Sequence, residues 1–305
     1  MTLPVSVVVP VYNNRTTVAD AIRSVFGQTI LPAEVIAVDD GSVDGSADVI
    51  RAEFGDRVIL IQQPNGGPSY ARNTGIEAAH EPFVAFLDAD DVWHPSKLEV
   101  QFGVLERYDD VGVVAADWVR RPEEWPPLPV TWPTEPISYQ DILILNRFQT
   151  STVLARTALV KAVGGFDSAV DGAEDWDLWI RLAAVTRVLK VAWPLVVYRD
   201  VETGYSKDVW RVYVTMHKLL DKQRDTGRLS RAAFEEIETW HHLRFAVGLL
   251  LLKDARRAGR ALLGALSPRL RPYLWKATTH YLLPFLRARY VRRRAQEAPG
   301  RRART

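Results

Sequence analysis

FVAFLDADDVW, residues 83–93, places an apolar run directly in front of a cluster of carboxylates. The run FVAFL predicts a buried strand, and Asp88, Asp90 and Asp91 follow at its carboxyl end. Carboxylates this close together repel one another, and Mg²⁺ prefers one or two carboxylates together with the phosphate oxygens of a substrate. The stretch therefore predicts either a strand end that holds a divalent cation or a solvated turn whose Asp side chains cap the helix after Pro95.

Strand-like runs alternate with helical patterns throughout the N-terminal half. The runs are VSVVV (5–9), EVIAV (34–38), RVILI (57–61) and FVAFL (83–87). Each run precedes a stretch that is typical of a helix; in the first of these stretches, apolar residues recur at 3.6-residue spacing. This order predicts an α/β fold with a mostly parallel sheet and helices on both faces. In such sheets ligands bind at the carboxyl ends of the strands.

The residues that follow these strands are polar, glycine or aromatic, and all of them fall at that one edge. They are Pro10, Tyr12, Asn13, Asp39, Asp40, Gly41, Ser42, Asn65, Gly66, Gly67 and the three aspartates. A base can stack on Tyr12, Asp40 can accept a hydrogen bond from a base or ribose, and Gly67 lets backbone approach a ligand closely. Each loop alone is also ordinary turn chemistry, whereas together they favour a nucleotide site.

Missing motifs and the overall composition narrow the class of protein. No G-x-G-x-x-G follows the first strand and no Walker lysine loop is present, which disfavours a dinucleotide dehydrogenase or a P-loop enzyme. The 305 residues are 47% hydrophobic and 25% charged, as in a soluble globular protein. There is no cysteine, so disulfides and thiolate metal sites are excluded. Without a signal peptide pattern or a membrane span, we expect a cytoplasmic protein.

The charge is distributed unevenly along the chain. Residues 253–305 hold 15 of the 39 Lys and Arg residues but only 2 of the 37 Asp and Glu residues. We expect a basic helical region over 206–295 and a disordered tail over 296–305. Basic residues mixed with Trp275, Tyr281 and Phe285 suit an anionic membrane surface at the inner face of the cell membrane. Nucleic acid is a less favoured partner, because no recognised nucleic-acid-binding module accompanies the charge. A solvated helical bundle without a partner is a further alternative.

Residues 3–205 resemble the large glycosyltransferase family 2, which has the GT-A fold. The resemblance rests on the order and spacing of VSVVVPVYNN, QTILPAEVIAVDDGSVDGS, NGGPSYARNTGI, FLDADD, GGFD and EDWDLWIRL. It implies a catalytic domain over 1–205. It also implies a metal-dependent, inverting transfer of a sugar from a nucleotide-diphosphate donor to a hydroxyl of a glycan or lipid-linked acceptor, in cell-surface polysaccharide biosynthesis.

The resemblance also assigns roles by position. It implies that Pro10, Tyr12 and Asp40 hold the base and ribose, with Gly67 in the same loop cluster. Arg72 would lie near the donor. Asp88 would contact ribose or metal, and Asp90 would ligate the metal, Mn²⁺ or Mg²⁺.

A second acidic stretch, DGAEDWDLWIRL at 171–182, supplies the candidate base. Inversion requires a carboxylate that takes the proton of the acceptor hydroxyl. The resemblance places Asp175 in that role, with Glu174 as the alternate. Acidic residues in a first helical turn are also what the helix dipole favours. Trp176 and Trp179 suit either a sugar ring or the core.

Other residues carry weaker expectations. Residues 120–136 are rich in proline, and Trp125 and Trp132 within them would either contact sugar or pack against the body of the protein. Arg199 and Lys207 would either cover the diphosphate or be solvated charges. Adjacent histidines at 241 and 242 point in different directions on a helix, which disfavours a shared metal.

Two other kinds of function fit the same fold. The first is a non-catalytic protein that binds a nucleotide-sugar or a glycan, and intact Asp90 and Asp175 favour an enzyme over it. The second is a sugar nucleotidyltransferase, which would share the metal and the sheet. The sequence has no Gly-rich loop with Arg and Lys after its first strand, and this disfavours the second alternative.

Overall fold

The computed structural model of the chain describes residues 2–199 and 208–288. The chain divides into two compact units, Met1–Tyr205 and Ser206–Thr305. The expectations for Lys207 and for a disordered tail over 296–305 fall outside the described residues.

Nine strands of the first unit form one sheet. They are β1 (Leu3–Val11), β2 (Pro32–Asp39), β3 (Ile59–Gln62), β4 (Phe83–Phe86), β5 (Val92–Trp93), β6 (Val111–Val119), β7 (Thr134–Ile137), β8 (Leu154–Arg156) and β9 (Arg187–Val197). The strand order is β3-β2-β1-β4-β8-β6-β9-β5, and β7 pairs with β9. Strands β1 to β4 are parallel, as the sequence predicts, whereas β8 is antiparallel to both of its neighbours, so the sheet as a whole is mixed.

Within residues 2–199, seven α-helices accompany this sheet. They are α1 (Val18–Phe26), α2 (Ser46–Phe54), α3 (Pro68–Ala78), α4 (Lys97–Arg107), α5 (Tyr139–Ile144), α6 (Thr157–Ala162) and α7 (Glu174–Ala183). Strand β1 is buried on both faces because helices cover both sides: Val7 and Val9 pack in one core cluster with Ile22 of α1. On the other face Gly75 of α3 lies against Val8, so closely that a Cβ there would meet the valine Cγ1 at 2.3 Å. This contact fixes α3 on the sheet, with its first turn at the carboxyl edge.

The second unit is helical, as expected. Its described α-helices are α8 (Val209–Gln223), α9 (Arg231–Leu251), α10 (Ala255–Ala265) and the short α11 (Leu274–Ala277), which continues into a π-helix at Thr278–Leu282. Large apolar side chains of α8 and α9, among them Met216, Leu219 and Trp240, are buried. Across the described parts of both units, we find no helix with the length and hydropathy that a membrane crossing requires.

Candidate active site

A cleft of about 490 Å³ opens at the carboxyl ends of β1, β2 and β4. All seven residues that the sequence assigns to a nucleotide-sugar line it: Pro10, Tyr12, Asp40, Gly67, Arg72, Asp88 and Asp90. Tyr198, just after β9, also lines the cleft, and the sequence gives no sign of this because β9 reaches the cleft only through the sheet order. The common edge predicted from the parallel strands is therefore a real cavity.

A larger groove, of about 1090 Å³, lies at the other end of β1, beside Leu3, Phe102 and Trp132. Its charged lining includes Glu99 and Glu106, which lie on the exposed side of α4. None of the residues that the sequence assigns to the nucleotide-sugar, the metal or the base lines this groove. The chemistry predicted from the sequence therefore belongs to the smaller cleft.

The loops after β1 and β2 hold each other in place. Asn13 adopts a positive φ of 55°. Its backbone N–H donates to Ser42 Oγ (2.9 Å), and its Oδ1 accepts from the N–H of Val43 (3.0 Å). The preceding Tyr12 keeps 51% of its surface exposed. The ring is thus presented on a fixed loop, in a position suited to stacking.

Asp40 is buried and organises the glycine loop ahead of α3. Its carboxylate accepts hydrogen bonds from the backbone N–H groups of Gly66 (2.9 Å) and Gly67 (2.8 Å) and from Gln63 Nε2 (2.7 Å). Gly67 has φ of 88°, a conformation that favours glycine. In this structure Asp40 shapes the loop, and a direct contact with base or ribose stays a prediction.

The three aspartates after β4 divide into two kinds. Asp91 is fully buried and accepts from Ser151 Oγ (2.5 Å) and from the backbone N–H of Arg199 (2.9 Å). Asp88 and Asp90 instead face the cleft. Ser151 also accepts from the backbone N–H of Asp88 (3.0 Å), so one hydroxyl holds the turn at both ends. Sequence reasoning missed Ser151 because nothing in its local motif marks it.

The environment of Asp90 disfavours its negative charge. Burial, and then the nearby charge of Asp88, raises the pKa of Asp90 to about 6. Its side chain accepts no hydrogen bond from any other residue that the structure describes. Asp88, which pairs with Arg72 through Oδ1, and Asp90 together offer hard oxygen ligands at the cleft, and such a donor set fits Mg²⁺ or Mn²⁺.

Arg72 of α3 links this turn to α7. The guanidinium is buried, with Nη2 2.8 Å from Asp88 Oδ1 and Nη1 3.0 Å from Glu174 Oε1. Burial lowers the pKa of Arg72, but the charges of the two carboxylates raise it by more, and the net direction is upward. The arginine therefore stays charged and holds the start of α7 beside the aspartates.

The two candidate bases at the start of α7 have different surroundings. Glu174 is paired with Arg72 and also accepts from the backbone N–H of Gly172 (2.6 Å). Asp175 accepts from Asn146 Nδ2 (3.0 Å) and from the N–H of Trp176 (2.6 Å). Burial, and then the charge of Glu174, raises the pKa of Asp175 to about 7. A carboxylate with this pKa is suited to accept a proton near neutral pH.

The tryptophans proposed for sugar contact belong to packing. Trp176 and Trp179 are buried, and Trp176 Nε1 donates to the carbonyl of Ile142 (2.6 Å). In the loop over 120–136, Trp125 packs edge-on against His94 and Trp132 against Trp193. Trp176 and Trp179 thus lie in the core, and Trp125 and Trp132 are partly buried and pack against the body of the protein. Arg199 lies 3.5 Å from Asp20 in an ion pair.

A separate cluster lies within the helical unit. Single ligand atoms of His217, Glu238 and His242 lie within 4.8 Å of one another. Glu238, however, is already paired with Arg224 (2.9 Å) and with Arg269. Two guanidinium groups neutralise this carboxylate and would repel a cation, so the cluster is an ion-pair network and not the donor set of the cleft.

Residues 6–160 match the model of the family described as glycosyl transferase family 2. The succinoglycan biosynthesis protein ExoW of Rhizobium meliloti is 41% identical over 110 residues, which cover 34% of each chain. The matched region covers 60% of the length of two curated relatives, uncharacterized glycosyltransferases of Rickettsia typhi and Rickettsia prowazekii, and 32% of the length of a third, from Rickettsia conorii.

Solved structures share the fold. S. aureus TarS 1–349 in complex with UDP-GlcNAc superposes with a TM-score of 0.66 and 21% identity, covering 86% of this chain and 80% of that one. The mannosyltransferase PcManGT of Pyrobaculum calidifontis, in complex with GDP-Man and Mn²⁺, gives 0.61 and 21%, covering 93% and 81%. The expected GT-A fold is therefore confirmed. Since the family model extends over just over half of the 305 residues, the chain belongs to glycosyl transferase family 2.

Proposed function

We propose that this protein transfers a sugar, with inversion, from a nucleotide-diphosphate donor to a hydroxyl of a glycan or lipid-linked acceptor. The observation that carries the proposal is the link from Asp88 through Arg72 to Glu174, which joins an acidic strand end to the helix that bears Asp175. Ion pairs thus join the proposed donor site to the helix on which the candidate base lies. The names of ExoW, TarS and PcManGT point to related chemistry.

Asp88 and Asp90 would hold the divalent cation. Both residues line the cleft, and burial together with the nearby charge of Asp88 raises the pKa of Asp90, so a bound cation would favour its charged form. When bound, the cation supplies positive charge that stabilises the departing diphosphate. Tyr12 would stack on the base, and the glycine loop shaped by Asp40 would lie along the donor.

Asp175 would act as the base. It takes the proton of the acceptor hydroxyl while the oxygen of that hydroxyl bonds to the anomeric carbon, and the bond from this carbon to the diphosphate breaks. Attack from the face opposite the leaving group inverts the anomeric configuration. Glu174 is less suited to the role because Arg72 already neutralises it. Asn146 orients Asp175 through the hydrogen bond to Oδ2.

The domain over 1–205 would carry this reaction, and the product would belong to a cell-surface polysaccharide; the relative ExoW is named for the biosynthesis of succinoglycan. The basic helical region would place the enzyme at the inner face of the membrane, near a lipid-linked acceptor. Asymmetry of charge between the two parts of the chain supports this arrangement.

A panel of nucleoside diphosphates and their sugars tests the proposal. The melting temperature should rise with one base only, and only with Mn²⁺ present, because a ligand that binds the folded state stabilises it. With the matching nucleotide-sugar and a crude glycolipid fraction, release of the nucleoside diphosphate should follow. Binding without release for every sugar tested would favour the non-catalytic binding protein, and pyrophosphate release from a nucleoside triphosphate and a sugar phosphate would favour the nucleotidyltransferase.

A further inference from the structure

We propose that the hairpin of α9 and α10 docks the protein onto an anionic lipid bilayer through one basic, leucine-bearing face. This face, called the hairpin surface, comprises Arg256, Arg260 and Leu263 on α10 and the exposed Leu251 and Leu252 at the end of α9. The inference gives the proposed membrane association a specific site and does not depend on the transfer chemistry.

The hairpin follows from a tight turn and a row of small residues. Helix α9 ends at Leu251 and α10 begins at Ala255, with Lys253 between them at a positive φ of 62°. Helix α10 then runs back along α9: a Cβ on Gly264 would meet the ring of His242 at 2.2 Å. The residues of α10 that are buried are all alanines, at positions 258, 261 and 265. The two helices therefore pack closely, and the larger side chains of α10 point away from α9.

Exposed leucines lie both at the end of α9 and on α10. Leu251, Leu252 and Leu263 are 68%, 61% and 69% exposed, and Leu262 is 42% exposed. A helix whose outer side faces only water usually carries polar residues there. Neighbouring exposed leucines at a helix turn are instead typical of a surface that contacts another apolar phase.

The positive charges share the same side of α10. Arg256 and Arg260 precede Leu263 by seven and three residues, so all three fall on one stripe of the helix. Neither arginine forms an ion pair with any residue in the described ranges. The only acidic residue between positions 250 and 288 is Asp254, which caps α10 and pairs with Arg257 (3.3 Å). The charge of the stripe is therefore not neutralised.

An anionic bilayer satisfies both features at once. Its lipid headgroups attract the arginines, and its acyl region accepts leucines from a helix that lies in the interface plane. A second copy of this face would bring like charges together. The chain beyond residue 288 is equally unsuited to cover it, because it adds seven arginines and one glutamate. Nucleic acid would use the arginines alone, since phosphate contacts do not need exposed leucines.

The test is co-sedimentation of the full chain with vesicles of phosphatidylcholine, either alone or mixed with phosphatidylglycerol in equal parts. One variant combines Leu251→Ser with Leu263→Ser, and a second combines Arg256→Glu with Arg260→Glu. The matched controls are Leu128→Ser, an exposed leucine of the first unit, and Lys218→Glu with Lys222→Glu, two exposed lysines of α8 at the same spacing.

We expect the wild type to bind the anionic vesicles but not the neutral ones, and to be released by high salt. Each variant of the hairpin surface should weaken binding by about tenfold or more, because each removes two groups that contact the interface, while both controls bind as the wild type does. Melting temperatures of all variants should stay close to the wild-type value, since the altered side chains are exposed.

Three results would overturn the proposal. The first is equal binding to both vesicle types, or to neither. The second is loss of binding in the arginine variant only, which would indicate a purely electrostatic partner such as nucleic acid. The third is a lipid-free dimer in analytical ultracentrifugation that the leucine variant dissociates. If the leucine variant fails to fold, the wild type still decides the first result, and normal binding of the arginine variant alongside its lysine control would still contradict the proposal.

Discussion

Nη1 of Arg72 lies 3.0 Å from Oε1 of Glu174, and this contact joins the helix that follows the glycine loop to the helix that bears Asp175. The other end of the guanidinium, Nη2, lies 2.8 Å from Asp88 Oδ1. The buried guanidinium of Arg72 therefore holds the acidic turn against the helix that bears the candidate base, although the two lie far apart in sequence. Stability, donor binding and catalysis should all depend on this arginine.

Arg72→Leu should lower the free energy of unfolding by about 3 kcal/mol, because removing one partner of a buried ion pair leaves the remaining carboxylates uncompensated. Urea denaturation measures this loss. Arg72→Lys, which keeps the charge but not the two-pronged geometry, should lose less stability. Equal stability of Arg72→Leu and the wild type would contradict the structural role.

Asp175→Asn should leave donor affinity nearly unchanged and reduce transfer by roughly a hundred- to ten-thousandfold, the range that a general base contributes. Turnover of the variant, measured at saturating donor and acceptor, separates the two effects. Glu174→Gln is the matched control. Because it breaks the ion pair with Arg72, we expect it to lower the stability of the fold and to reduce turnover much less than Asp175→Asn does. Near-native turnover of Asp175→Asn would move the base elsewhere.

The pH dependence of transfer should have an acidic limb near pH 7. Burial and the charge of Glu174 raise the pKa of Asp175 to about 7, and only its unprotonated form can take the acceptor proton, so the rate falls as pH falls through this value. The hydrogen bond from Asn146 lowers the pKa of Asp175. Asn146→Ala should therefore move the acidic limb to higher pH. An unchanged limb in this variant would show that another group controls the profile.

The sequence predicts the parts of this molecule that depend on local order. Alternating runs predict β1 to β4 and the edge where Tyr12, Asp40 and Asp88 meet, because parallel strands bring their carboxyl ends together. Sequence order did not show that β8 is antiparallel, nor that β9 brings Tyr198 to the cleft, since strand pairing between distant segments depends on the whole core.

The sequence also could not assign the members of a motif to separate tasks. Asp90 and Asp91 are adjacent in sequence, yet the hydroxyl of Ser151 donates a hydrogen bond to the carboxylate of Asp91 and not to that of Asp90. Similarly, Asn146 contacts Asp175 and not Glu174. These distinctions depend on residues tens of positions away in the sequence, so a local sequence pattern cannot show them.

The most direct test of the central claim, that Asp88 and Asp90 form a metal-dependent donor site, is calorimetric titration of Asp90→Asn with the nucleoside diphosphate that stabilises the wild type. The substitution removes a charge and almost no volume, so the fold should be preserved. We predict that Mn²⁺ strengthens binding to the wild type and to the surface control Asp109→Asn but has no effect on Asp90→Asn. A wild-type-like, Mn²⁺-dependent affinity in Asp90→Asn would contradict the account.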